Sequence, residues 1–187
     1  MYSISRYHYF HKEDTPRNAY IRHLRLTLVV IVAILALIYT ANKPYHQPMN
    51  SAERAKQIEE LANIVPRSEA EEIMTSVHRW AKKFNVDKKL ILAVVKIESG
   101  FNKYAISSSG AFGLMQVIPS WHKEKVIRAR DTLGDPNLFS VDTNIYIGTW
   151  ILKDCIKKYV DIYAGLECYS GGTPGYGDKV LKEYNKT

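Results

Sequence analysis

Glu98 is the residue of this chain best placed to move a proton. The preceding segment, Lys88 to Lys96, reads KKLILAVVK, and its Ile91, Val94 and Val95 share a helical face that reaches Glu98 two turns beyond Ile91. A carboxyl group thereby continues an apolar stripe. Partial burial disfavours its charged form, and the carbonyl-rich helix end, for which Gly100 is the stop signal, repels a negative charge. A carboxylic acid kept protonated near neutral pH can donate to a leaving oxygen, the first task of a general acid. The competing reading is a Glu fraying into solvent at a helix end. Downstream, Ile97 to Gln116 reads IESGFNKYAISSSGAFGLMQ and brings hydroxyls and an amide, with Gly110 and Gly113 suited to a tight turn.

The elements that must position this stretch are helical. Ser68 with Glu71 forms a capping-box pattern, and the helix it opens carries Ile73, Val77, Trp80, Ala81 and Phe84 on one face. A brief turn at Asn85, Val86 and Asp87 leads into the helix ending at Glu98, with Asp87 as its cap, so the two make a helical hairpin. Trp121 to Leu133 is basic and only weakly periodic, and Gly134 to Asn137 reads as a turn. From Asp142, the expected cap, Ile145, Gly148, Leu152, Cys155, Ile156 and Tyr159 share a face. Asp161 opens a short helix to about Tyr169, the loop SGGTPGYG follows from Ser170, and a last helix carries Val180, Leu181 and Tyr184. Strand-like alternation is absent. The expectation is a compact all-α domain over residues 68–187.

Ahead of it lies a different kind of sequence. Leu26 to Ala41, LTLVVIVAILALIYTA, contains no charge, and Leu24 extends the run past Arg25. A membrane helix needs roughly 20 apolar residues, and Arg25 can snorkel, so residues 24–41 are expected to span a bilayer once as a retained signal anchor. Arg6, Lys12, Arg17, Arg22 and Arg25 precede the run, which places the amino terminus in the cytoplasm and the remainder outside it. Bulky Tyr39 argues against cleavage after Ala41. Residues 1–23 form a cytoplasmic tail whose scattered His8 and His11 show no ligand spacing. Residues 42–67 read as a linker or stalk, with Pro44 and Pro48 in an extended spacer. Within it Ser51 to Val65, ended by Pro66, is either a juxtamembrane stalk or the first helix of the domain.

The net charge is +7 over 187 residues, split nearly evenly between residues 1–67 and the domain over 68–187. A mildly basic domain suits an anionic polymer or acidic lipid surface, but it lacks the dense basic stripe of a nucleic-acid binder. Cys155 and Cys168 both fall in the part expected to be exported, where a disulfide is permitted; spacing alone leaves open whether they pair.

Three motifs in order carry a resemblance. ESGF at Glu98 to Phe101, then Ser107, then GAFGLMQ at Gly110 to Gln116 with Pro119, is similar to the signature of the family 1 soluble-type lytic transglycosylases. NIYIG at Asn144 to Gly148 with Leu152, and CYSGG at Cys168 to Gly172, resemble that family's second and third motifs. The resemblance covers most of residues 73–184. It departs from the family where Ser170 stands in place of the usual Asn, and where Ile151 stands in place of an aromatic.

The resemblance implies a lysozyme-like helical domain that cleaves the bond between N-acetylmuramic acid and N-acetylglucosamine in peptidoglycan, leaving 1,6-anhydro ends. It implies no cofactor and no metal. By the same resemblance, Glu98 serves as acid and then base; Ser107 and Gln116 orient substrate, Tyr169 holds Glu98 or the N-acetyl group, and Met115 lines the cleft floor, with simple core packing an equal reading of Met115. Ser170 offers a hydroxyl to the substrate. Two other readings stand beside it: a hydrolase on the same scaffold that recruits Asp131 or Asp142 as a second carboxylate, and a non-catalytic peptidoglycan-binding module of a secretion, pilus or phage assembly.

Overall fold

The computed structural model describes residues 16–41, 51–159 and 161–186. The part of the tail that holds His8 and His11, and the spacer with Pro44 and Pro48, lie outside the described residues. Two compact units divide the chain, 1–43 and 44–187. In the first, α1 runs over Pro16–Ala41, and Leu24, Leu26, Leu28 and Val29 to Val32 are exposed along it. The span expected over 24–41 ends in side chains, 37–41, that are outside the described set. Among the described residues no helix is long and apolar enough to cross a membrane.

The second unit is all-helical among its described residues. It contains α2 (Ser51–Ala62), α3 (Arg67–Phe84), α4 (Lys88–Ser99), α5 (Lys123–Leu133), α6 (Val141–Lys158), α7 (Ile162–Tyr169) and α8 (Tyr176–Tyr184). The weakly periodic basic stretch after Trp121 is therefore a helix, α5, which packs on α6 through Ala129 and its neighbours. α2 packs on α3 and buries Leu61, so of the two readings of 51–65 the packing supports the first helix of the domain.

α3 and α6 form the centre, and α4, α7 and α8 close against them and one another. Ile73, Met74 and Val77 of α3, Ile91, Val94 and Val95 of α4, and Ile145, Ile147 and Leu152 of α6 are fully buried. The apolar faces expected from periodicity are the ones that pack, except at Tyr159, which lies past the end of α6 and is exposed. A disulfide between Cys155 and Cys168 ties α6 to α7, with Cα atoms 5.7 Å apart.

Two helix starts differ from expectation. α3 begins two residues early because the Pro66 carbonyl already accepts from Glu69 N and Ala70 N, at 2.9 Å each. Ser68 thus lies inside the first turn, no side chain caps the helix, and Glu71 pairs with Arg67 at 3.3 Å instead. In α6 the cap position belongs to Ser140. Asp142, one step inside, accepts from Ser76 Oγ at 2.8 Å, Trp80 Nε1 at 2.9 Å and Arg79 at 2.9 Å. It fastens α6 to α3, a use that leaves it unable to serve as a cap. Asp87 and Asp161 do cap, accepting from Lys89 N and Ala164 N.

Candidate active site

α4 carries Glu98 in its last turn and stops at Gly100, whose φ of 58° is the left-handed geometry that glycine adopts freely. Ser99 reinforces this end by donating to Leu114 O at 2.8 Å, tying the helix to the 110–116 loop. Backbone geometry is unusual in the stretch that follows the acid. Phe101 and Gln116, neither a glycine, have φ of 71° and 46°. Such residues persist only where the surroundings over-determine them, and they gather at functional sites.

The 105–117 segment doubles back through two isolated antiparallel bridges, Ile106 with Phe112 and Phe112 with Val117. Asn144 of α6 is the staple that holds it. Its Oδ1 accepts from Met115 N at 2.7 Å, while its Nδ2 donates to Phe112 O at 2.8 Å and Leu138 O at 2.7 Å. A side chain at Gly148 would collide with Met115, so α6 admits the loop only where it has no Cβ.

The result is a cleft of about 280 Å³ lined by residues of α4, this loop, α5's approach and the α7–α8 turn, including Glu98, Ser107, Gln116, Trp121, Tyr169 and Tyr176. Glu98 is the one carboxylate among the described residues that line it. Asp131 is exposed beside Arg130, and Asp142 is committed to α3. Neither candidate second carboxylate reaches the cleft. A larger groove of about 450 Å³, bordered by α2 and α4, holds none of the candidate residues.

Glu98 is half-buried and accepts a hydrogen bond from Tyr176 Oη at 2.5 Å. Desolvation raises its pKa, and the Tyr176 hydrogen bond, which favours the charged form, opposes this more weakly; the net shift is upward. Tyr176 is itself pushed up by burial and then by the nearby Glu98 charge. Tyr169 moves the same way for the same two reasons. Both phenols therefore stay protonated and act as donors. The two rings stack at 6.3 Å between centroids. His122, also on the cleft wall, is lowered by burial and by Lys125, so it is neutral near pH 7.

The other expected site residues fall into two groups. Ser107 and Gln116 line the cleft with Glu98. Ser107 Oγ accepts from Ala111 N at 3.1 Å, and the Gln116 amide donates to Ala105 O at 3.2 Å and Gly113 O at 2.9 Å, so both also brace their loop. Tyr169 and Ser170 line the cleft as well, with their hydroxyls engaged within the protein, whereas Met115 does not line it. The Met115 side chain is fully buried against α6, with Thr149 Oγ1 approaching its sulfur at 3.9 Å, because the Asn144 staple turns it inward; it is core and not cleft floor. Tyr169 Oη donates to Met115 O at 2.7 Å and leaves Glu98 to Tyr176. Ser170 Oγ donates to Glu167 O at 2.9 Å and accepts from Thr173 N at 3.1 Å, so its hydroxyl closes a local turn.

Tyr176 is the functional residue that sequence reasoning missed. The signal available was its place in the GYG at the end of the Ser170 loop, next to the third motif. Glu167 positions it by accepting from Gly175 N at 2.9 Å.

The sequence profile of the transglycosylase SLT domain matches residues 75–187. The chain belongs to this family. It is 36% identical over 124 residues to the membrane-bound lytic murein transglycosylase C of Shigella sonnei, covering 59% of this chain and 34% of that protein. It is 37% identical over 124 residues to the membrane-bound lytic murein transglycosylase E of Buchnera aphidicola subsp. Baizongia pistaciae, covering 59% and 57%. The chain thus spans from about a third to somewhat over half the length of these relatives. Among solved structures, an inactive mutant of the lytic transglycosylase Slt from Pseudomonas aeruginosa aligns with a TM-score of 0.47 at 19% identity, over 73% of this chain and 27% of that one.

Proposed function

We propose that this SLT domain is a peptidoglycan lytic transglycosylase that uses Glu98 for both proton transfers. The observation that carries the reading is a half-buried carboxyl with a raised pKa, held by a phenol, in a cleft with no second carboxylate among its described lining residues. A hydrolytic pair would need a carboxylate across the cleft to activate water. One carboxyl suffices when the nucleophile belongs to the substrate. Glu98 gives its proton to the glycosidic oxygen as the bond to the anomeric carbon breaks, and the muramic N-acetyl group supports the positive charge. The resulting carboxylate takes the proton of the sugar's own 6-hydroxyl, whose oxygen bonds the anomeric carbon and closes the 1,6-anhydro ring. The nucleophile is already in place, which supplies much of the advantage. Tyr176 steadies Glu98 in both protonation states by donating to it.

On this reading Ser107 and Gln116 contact the glycan, whereas Met115, Tyr169 and Ser170 support the walls. The apolar run on α1 anchors the protein once in the cytoplasmic membrane, with the domain on the periplasmic side where its polymer lies. That placement is supported by the charge-free run, the preceding basic residues and the relatives named as membrane-bound. Remodelling or lysis of the wall is the outcome, and a secretion, pilus or phage assembly is the class of partner such an anchor would serve.

Mass spectrometry of glycan fragments released from purified peptidoglycan tests the chemistry. Anhydro ends support it, and reducing ends in their place would make the enzyme a hydrolase. A reporter fused after Thr187 should be active outside the cytoplasm; a soluble processed form as the main species would remove the anchor.

A further inference from the structure

Trp121 presents an indole that is 67% exposed, on the wall of the cleft that holds Glu98. Large apolar rings left in solvent at a concave site are the usual anchors of binding, since they offer wide contact at little conformational cost. The other two tryptophans are packed: Trp80 is 7% exposed, and Trp150 is covered by Phe84, Tyr146 and Lys125.

The indole rests on the turn after α7. Gly171 has φ of 75°, and a Cβ there would sit 3.3 Å from Trp121 Cζ3, so this turn passes beneath the ring with only backbone between. The turn has few polar groups left to give. Gly171 N and Gly172 N donate to Cys168 O and Glu167 O, Thr173 Oγ1 donates to Ser170 O, and the Ser170 hydroxyl is engaged on both sides. Its contribution to the cleft is to hold up a ring.

We propose that Trp121 is a saccharide-stacking platform of this cleft, binding the apolar face of a pyranose ring in the glycan strand. One face of a pyranose shows mainly C–H groups, whose slight positive charge complements the negative face of an indole. The α7–α8 turn therefore acts on the glycan through the indole it carries rather than through Ser170. This inference rests on the reading of the domain as a glycan-cleaving enzyme and deepens it, by naming where a sugar ring lies.

The test uses the full-length chain and chitotetraose, a soluble tetramer of N-acetylglucosamine. In the wild-type protein the tetramer should protect Trp121 from oxidation by N-bromosuccinimide, read by mass spectrometry of the peptide that contains it. Trp121→Ala should weaken chitotetraose binding and raise KM for glycan strands by about tenfold, with kcat held within about twofold, and Trp121→Phe should recover most of the loss. Equal oxidation of Trp121 with and without saccharide would overturn the proposal, and this measurement needs no variant to fold. Failure here and failure of the activity are separable. An unprotected Trp121 alongside release of anhydro ends sinks the platform alone, while protection without any released ends sinks the activity and leaves the platform.

Discussion

Glu98 in the last turn of α4 and Asp142 in the first turn of α6 are both half-buried carboxylates, and their surroundings treat them in opposite ways. Asp142 meets a guanidinium, an indole N–H and a hydroxyl, so its negative charge is matched by donors where it sits. Glu98 meets one neutral phenol at the carbonyl end of a helix, in a cleft without Lys or Arg among its described lining residues. Removing water from a carboxylate without replacing its hydrogen bonds favours the proton. The same functional group is a structural tie in one place and, on the proposed function, a proton carrier in the other, and the donor count makes the difference.

Three substitutions would break or sharpen this contrast in four measurements, and the largest effect is expected at the acid. Glu98→Gln should lower release of anhydro fragments by at least about a hundredfold, the scale of a lost general acid and base, while circular dichroism shows an intact fold. Near wild-type release would remove Glu98 from the chemistry. Asp142→Ala should instead cost about 3 kcal/mol of stability in urea unfolding, because Ser76 and Trp80 are buried and lose their acceptor. Its activity per folded molecule should persist. Loss of activity without loss of stability would make Asp142 a second catalytic carboxylate and revive the hydrolase.

Tyr176→Phe is expected to act more gently, reducing the rate by about tenfold or less. Its signature is in the pH profile. The Tyr176 hydrogen bond lowers the Glu98 pKa, so removing it should move the alkaline limb of the rate, which reports loss of the protonated acid, to higher pH. A limb shifted to lower pH would contradict the assigned cause. The smallest effect concerns stability. Glu98 binds its proton more tightly folded than unfolded, so the wild-type protein loses stability as pH rises from the unfolded value through the raised folded one. Glu98→Gln carries no such cost. It should be slightly more stable than wild type near pH 7, by about 1 kcal/mol or less, with the difference vanishing near pH 4. Thermal unfolding at the two pH values measures it.

Much of this is legible in the sequence, for local reasons. Helical periodicity named the faces of α3, α4 and α6 that pack, because an amphipathic stripe has few other ways to hide. Gly100 marked the end of α4, and with it the position of Glu98, because a left-handed stop is a local backbone property. Helix starts were less legible where one residue decides between capping and pairing, as at Ser68 and Asp142.

Side-chain partners belong to the tertiary structure. Periodicity puts Glu98 on an inward face, but only the fold brings Tyr176 to it across most of the domain and sends the Tyr169 hydroxyl to the Met115 carbonyl. Met115 reads equally as cleft or core until Asn144 takes its amide and Gly148 makes room for its side chain. The pairing of Cys155 with Cys168 likewise depends on how closely α6 and α7 approach. Sequence by itself determined which residue could be the acid, since that rests on helix phase and a glycine stop. The choice of its hydrogen-bond donor, and the absence of a second carboxylate from the described cleft wall, was decided by tertiary packing, because hydrogen bonds form over about 3 Å and are set by side-chain directions that chain order does not encode.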